Sequence, residues 1–278
     1  VAFYSILICL LNAVTIGVTR TDVVKAIFPI SAKTYWFASV YMGLLVLMPF
    51  VSMVAARMTR RQYQYLLGAL TLFLSVNHMI FRVDTYGTFS GRELPWFIFL
   101  TLLAGYVKLH MKEDRRYAWY GFAGYVVSSL AVLASVYLSV KTHQEDIGYF
   151  LNYNSPLALL GTLALFVCVR NLPWKESKLD GVILKVAGAA FGVYLIHDNY
   201  LIRYLVWDTF RVSKVAKTHW AMIYAVAVAV IVYLACTLLE LLRQQLVKWF
   251  APIWEKTLLY RKEQNLYLKI TKRVNDLS

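Results

Sequence analysis

The sequence has little of what most catalytic signatures are made of. Its three cysteines, Cys9, Cys168 and Cys236, each sit in a separate apolar run. That spacing excludes a paired-cysteine metal motif and a disulfide framework, and buried, inert thiols are expected instead. No Walker A loop, no glycine-rich dinucleotide fingerprint and no G-x-S-x-G elbow occurs. The common nucleotide-binding and serine-hydrolase architectures are therefore excluded, and no metal ligands are expected. Internal repeats and low-complexity tracts are missing as well. Acidic residues are scarce, 15 against 29 Lys and Arg, which leaves a net charge of +14.

What the chain has in abundance is hydrophobic sequence. Sixty per cent of its 278 residues are apolar, against about 45–50% in soluble domains. Eight apolar stretches recur, at about 1–19, 35–56, 62–81, 94–109, 117–140, 154–169, 186–206 and 220–239. Most approach or exceed the ~17–25 residues that cross a hydrocarbon core as a helix. The fold class expected is all-α, a polytopic transmembrane helix bundle with eight spans visible. Residues 1–239 form the transmembrane domain, and residues 240–278 form a basic amphipathic tail on the membrane surface. The chain opens with Val1 inside an apolar run and no basic segment precedes it. A signal peptide is not expected there, and a further N-terminal portion is.

In a soluble protein the positive charge would point to nucleic acid. Here it lies between and after the spans, where cytoplasmic loops and anionic headgroups account for it. The larger share of the 29 Lys and Arg follows the second, fourth and sixth spans or lies in the tail. Those connections and the C-terminus are assigned to the cytoplasm, and the seventh span then runs outward.

Within that seventh span, 186–206, stand His197 and Asp198, with Tyr194 three and four positions earlier on a neighbouring part of one helix face. An ionised carboxylate near mid-bilayer costs about 2.5–3.5 kcal/mol on insertion scales. Such a residue needs a partner, a proton or a wet cavity, and marks a functional candidate. A structural pair that locks two helices together is the alternative. Asn77 and His78 end the third span near the outer interface, where polar residues are cheap. Arg57, Arg60 and Arg61 follow the second span; their geometry suits phosphate, although positive-inside residues look the same. His110, His143 and His219 are assigned no role.

The run Phe191-Gly192-Val193-Tyr194-Leu195-Ile196-His197 resembles the closing signature of the acyltransferase 3 family of membrane proteins. Tyr35-Trp36-Phe37 leading to Pro49 resembles that family's "WF…P" span. Pro95-Trp96-Phe97 through Ala104-Gly105-Tyr106 resembles its "F…GY" span. The likeness runs in pieces from about residue 30 to 206, and the order of the motifs makes it specific.

The resemblance implies a bundle of about ten helices with both termini cytoplasmic. It implies transfer of an acyl group, usually acetyl from acetyl-CoA, to a hydroxyl of a cell-surface or exopolysaccharide sugar at the plasma membrane. Acetyl-CoA is then a substrate and no cofactor is bound. The family's best-marked histidine follows an arginine on a first helix, and no position here matches it. His197 matches the late histidine and takes a supporting part, as a second proton carrier or a group that orients the acceptor, with Asp198 beside it. Tyr194, Tyr35, Trp36, Asn77 and His78 would line the acceptor cavity, and Arg57, Arg60 and Arg61 would hold the CoA phosphates. Two other readings stay open: a transporter or flippase of a lipid-linked glycan, and a membrane scaffold without catalysis.

Overall fold

The computed structural model describes residues 1–143, 148–175, 177–215 and 218–255. In chain order the helices are α1 (Ala2–Thr15), α2 (Arg20–Ile27), α3 (Trp36–Arg57), α4 (Arg60–Thr71), α5 (Asn77–Phe81), α6 (Leu94–His110), α7 (Arg115–Lys141), α8 (Pro156–Arg170), α9 (Asp180–His197), α10 (Arg203–Thr209), α11 (Val212–Val215) and α12 (Ala221–Glu255). A π turn, Leu72–Val76, joins α4 to α5, and short 3-10 turns lie at Phe89–Gly91 and Tyr149–Leu151. The described residues contain no strand.

Among the described residues, six helical segments are long and apolar enough to cross a membrane: Trp36–Arg57, Arg60–Phe81, Arg115–Lys141, Tyr149–Arg170, Asp180–His197 and Ala221–Pro252. Two of the eight expected spans are shorter apolar helices, α1 with 14 residues and α6 with 17. Local sequence sets the helix starts. Thr59 and Gln62 form a reciprocal capping box before α4. Asp114 caps α7 by accepting from Arg116 N at 2.8 Å, and Ser155 caps α8 by accepting from Ala158 N at 3.1 Å. Pro49 lies inside α3, which is assigned as one helix across it.

The helices divide into two compact units, Phe28–Glu176 (with Val1), and Ala2–Ile27 together with Ser177–Ser278. The first holds α3 to α8. Its core gathers Tyr63, Trp96, Phe99, Leu102 and Leu159, and the fully buried Tyr63 donates its hydroxyl to Leu102 O at 2.8 Å. α7 and α8 pack at backbone distance. A Cβ on Gly121 would sit 2.6 Å from both Ala164 O and Cys168 N, so only glycine permits this approach. Gly121→Leu is expected to destabilise the unit by about 1–3 kcal/mol through overpacking. Gly68→Ala, with nothing within 4 Å of its Cβ, should be neutral or better. Thermal unfolding of both variants in detergent checks this.

The connection after α5 is held in a costly shape. Arg82, Phe89 and Ser90 all have positive φ, at 53°, 46° and 59°. Hydrogen bonds enforce it. Asp84 accepts from Thr88 N and Thr88 Oγ1, each at 2.8 Å, and from Phe89 N at 2.5 Å. Burial would raise the Asp84 carboxyl; the N–H groups of Thr88 and Phe89 outweigh it and hold it below the usual range. Buried Asn154 donates to Thr88 Oγ1 at 3.0 Å.

The second unit joins α1 and α2 to α9–α12, segments from opposite ends of the sequence. α9 packs on α12, and α1 touches α9. α12 continues through position 240, where the sequence reading starts the tail, to Glu255. Residues 256–278, most of that tail, lie outside the described residues. Glu240 is only 3% exposed. It accepts Tyr4 Oη at 2.5 Å, Arg243 Nε at 2.8 Å and Nη2 at 2.6 Å, and Gln244 Nε2 at 2.8 Å. Gly192 of α9 lies against this carboxylate so closely that a Cβ would overlap it. The signature glycine thus has a packing reason.

Candidate functional site

The apolar run 186–206 is not one helix. α9 stops at His197, Asp198 is its C-cap, and α10 starts at Arg203. Asn199, 1% exposed, makes the turn. Its Oδ1 accepts from Leu201 N at 3.0 Å, and its carbonyl accepts from Arg203 N at 2.9 Å. An asparagine side chain that bonds the backbone two residues on is an Asx turn, which supplies the groups a helix end leaves unpaired. His197 and Asp198 therefore stand at a helix terminus, not in the interior of a continuous span.

The His197 ring is oriented by its own helix. Nδ1 lies 2.7 Å from the carbonyl oxygen of Val193. A carbonyl only accepts, so Nδ1 carries the proton and Nε2 is the basic nitrogen of the neutral ring. The Tyr194 ring meets it edge-on, 6.5 Å between centroids. Arg203 Nη1 approaches Asp198 Oδ1 at 4.0 Å. That is a loose pair, and the guanidinium keeps most of its donors for other work.

His197, Asp198 and Arg203 all line one cavity of about 340 Å³. Its other walls come from Val193 of α9, Val206 and Trp207 of α10, Val212 of α11, and Ala225, Val228, Ala229, Val232 and Tyr233 of α12. It combines a polar group of base, acid and guanidinium with an apolar slot. Chemically it can take a proton at Nε2, place a positive charge near a developing oxyanion, and hold an apolar group away from water.

Behind the site a second contact pins the turn. Tyr200 Oη donates to Asp22 Oδ1 at 2.8 Å, and Lys25 Nζ sits 5.4 Å from the centre of the Tyr200 ring. Asp22 also takes Thr19 N at 2.9 Å and Thr19 Oγ1 at 2.6 Å. The Thr19 hydroxyl, then its N–H, then Tyr200 pull the Asp22 carboxyl from 3.8 to about 2. With the folded value below the ordinary one, the stabilisation is fully present above pH ~4 and is lost as pH falls through about 2. Thermal unfolding followed from pH 5 to pH 2 should show this acid limb, and Asp22→Asn should flatten it.

The other sequence candidates lie in the first unit. Tyr35 is fully buried at the start of α3. Trp36 stacks on Tyr153 at 6.0 Å and meets Phe97 edge-on at 6.4 Å. Asn77 begins α5 after the π turn. His78 Nδ1 is 3.3 Å from Val83 O, and its Nε2 is buried without a hydrogen-bond partner among the described residues. Its ring stacks on Tyr149. Arg57, Arg60 and Arg61 are exposed around the α3–α4 turn, with Arg60 Nε 3.4 Å from Tyr106 Oη. Of the sequence candidates, the structure brings Tyr194, His197 and Asp198 together. Arg203, Trp207 and the α12 alanines were not singled out, although Arg203, six positions after His197, was a visible signal.

The sequence profile of a family described as an acyltransferase domain, the third of that name, matches residues 1–240. No curated protein and no solved structure matches the chain.

Proposed function

Because the chain belongs to the acyltransferase 3 family, we propose that this membrane acyltransferase moves an acyl group from acyl-CoA, acetyl-CoA being the simplest donor, to a hydroxyl of a cell-surface or exopolysaccharide sugar. The observation that carries the assignment of residues is the His197 ring. Its Nδ1 is committed to Val193 O, which leaves Nε2 as base on a side chain that lines the cavity.

In the step proposed, the acceptor hydroxyl attacks the thioester carbonyl. A C–O bond forms, the C–S bond breaks, and the hydroxyl proton passes to Nε2 of His197 and then to the departing thiolate. Arg203 meets the negative charge that develops on the carbonyl oxygen. Asp198 sets the place of Arg203 and offsets its charge. Tyr194 orients the ring side, and Tyr35, Trp36, Asn77 and His78 belong to the acceptor's surroundings. Arg57, Arg60 and Arg61 bind the phosphates of the donor on the cytoplasmic side, in keeping with their exposure at a helix turn. The protein lies in the plasma membrane with its C-terminus and basic tail at the cytoplasmic face, as the distribution of Lys and Arg supports.

Membranes containing the protein and supplied with labelled acyl-CoA should pass label into polysaccharide, and membranes without it should not. Absence of transfer from every acyl-CoA offered would overturn the enzymatic reading and favour a transporter of a lipid-linked glycan.

A further inference from the structure

The cavity at His197 is much larger than an acetyl group needs. At the ~30 Å³ that one water occupies in the liquid, about 340 Å³ holds roughly eleven water-sized groups. An acetyl group has three heavy atoms and an octanoyl group nine. Most of the remaining wall is apolar, with Val193, Val206, Val212, Val228 and Val232, and the Trp207 indole and Tyr233 phenol stand among them. Ala225 and Ala229, one helical turn apart on α12, contribute only methyl groups there. We infer that this slot takes the acyl chain of the donor, that the chain is a medium-length one of about four to eight carbons, and that Ala225 and Ala229 set its length.

The inference rests on the acyltransferase reading and goes past it, since the family resemblance points to acetyl. The occupant is an alkyl chain because, apart from His197, Asp198 and Arg203, the walls are aliphatic except for the Trp207 indole and the Tyr233 phenol. It is the donor's chain and not a lipid's because His197, Asp198 and Arg203 share its lining. A bilayer lipid tail has no use for ionisable groups, whereas a thioester carbonyl beside them has. Space decides the length. In a hydrophobic pocket one methylene is worth about 10–200-fold in discrimination, so an acetyl group leaves most of the available binding unused.

The test measures transfer and binding separately. Membranes containing the full chain receive labelled acetyl-, butyryl- or octanoyl-CoA at equal low concentration. Butyryl or octanoyl transfer at least tenfold above acetyl is expected. Ala229→Phe should lower the octanoyl-to-acetyl ratio at least tenfold. Both alanines are exposed to the slot, so a ring there fills space without disturbing packed core. Preference for acetyl, or an equal loss of all donors in Ala229→Phe with the chain still folded, overturns the inference but leaves the transferase reading standing.

For binding, 8-bromooctanoyl-CoA is titrated onto the protein in nanodiscs while tryptophan fluorescence is followed. Trp207 should be quenched, octanoyl-CoA should reverse it, free CoA should not, and Trp207→Phe should remove the signal. The same quenching without transfer from any donor upholds an acyl-chain site and sinks the transferase reading. Quenching by brominated phosphatidylcholine that octanoyl-CoA does not relieve assigns the slot to a lipid and overturns the inference. If Ala229→Phe does not fold, Ala225→Phe and the Trp207 titration carry the test.

Discussion

His197→Ala is expected to lower acyl transfer by at least ~10²-fold, the ordinary scale of a positioned acid–base group, with little change in folded yield. The side chain makes one hydrogen bond, to a carbonyl of its own helix, and is only half-buried. Its loss should cost stability about 1 kcal/mol. A large loss of rate with a small loss of stability separates a proton carrier from a structural pair. Rates unchanged within twofold would remove His197 from the mechanism. Asp198 gives the companion result. Asp198→Asn keeps the helix cap and removes the charge beside Arg203. If it retains full activity while Asp198→Ala fails to fold, the carboxylate is structural.

The second large effect is expected at Glu240. Glu240 is buried and its partner Arg243 is 29% exposed, so removing the carboxylate is expected to cost about 3 kcal/mol, the low end for breaking a buried ion pair. Glu240→Ala strands Arg243 and Tyr4, which hold the carboxylate at 2.5–2.8 Å. An apparent Tm lowered by roughly 10 °C is expected at about 2–4 °C per kcal/mol. The double substitution Glu240→Leu with Arg243→Met should recover most of the loss, since apolar groups of similar volume replace buried ion pairs at little cost. A double variant as unstable as Glu240→Ala would show that packing, and not the stranded charge, sets the penalty. Gly192→Ala should be destabilising too, because the new methyl overlaps the carboxylate.

Both results concern features that the sequence revealed unequally. The helices and the membrane class were legible, because apolar runs of span length are local signals. The break in the run 186–206 was not read from the sequence, which took the run as one span. Asn199 was the visible mark of a turn, yet nothing in an apolar run shows whether a lone asparagine ends a helix or faces a cavity. The structure settles that through bonds to Leu201 and Arg203. Glu240 read as the first charge of a tail because the residues before it are apolar. Its burial depends on Tyr4, 236 positions away, and no local pattern carries that. The π turn at Leu72–Val76 and the strained connection after it left no signature either. His197 was singled out in the sequence by its chemistry, as an ionisable residue in an apolar run. Its cavity, assembled from four helices, was not legible.

The discontinuous second unit sets an order of events as the chain is made. Tyr4 and Asp22 leave the ribosome long before Glu240 and Tyr200, their partners. At about 5–20 residues per second, the 236 positions between Tyr4 and Glu240 take roughly 10–50 s. For that interval the Tyr4 hydroxyl is without its Glu240 partner, while all of α3 to α8 is synthesised. The segment between must therefore insert and pack without help from the unit that holds His197, and that unit closes only when the last described helix arrives.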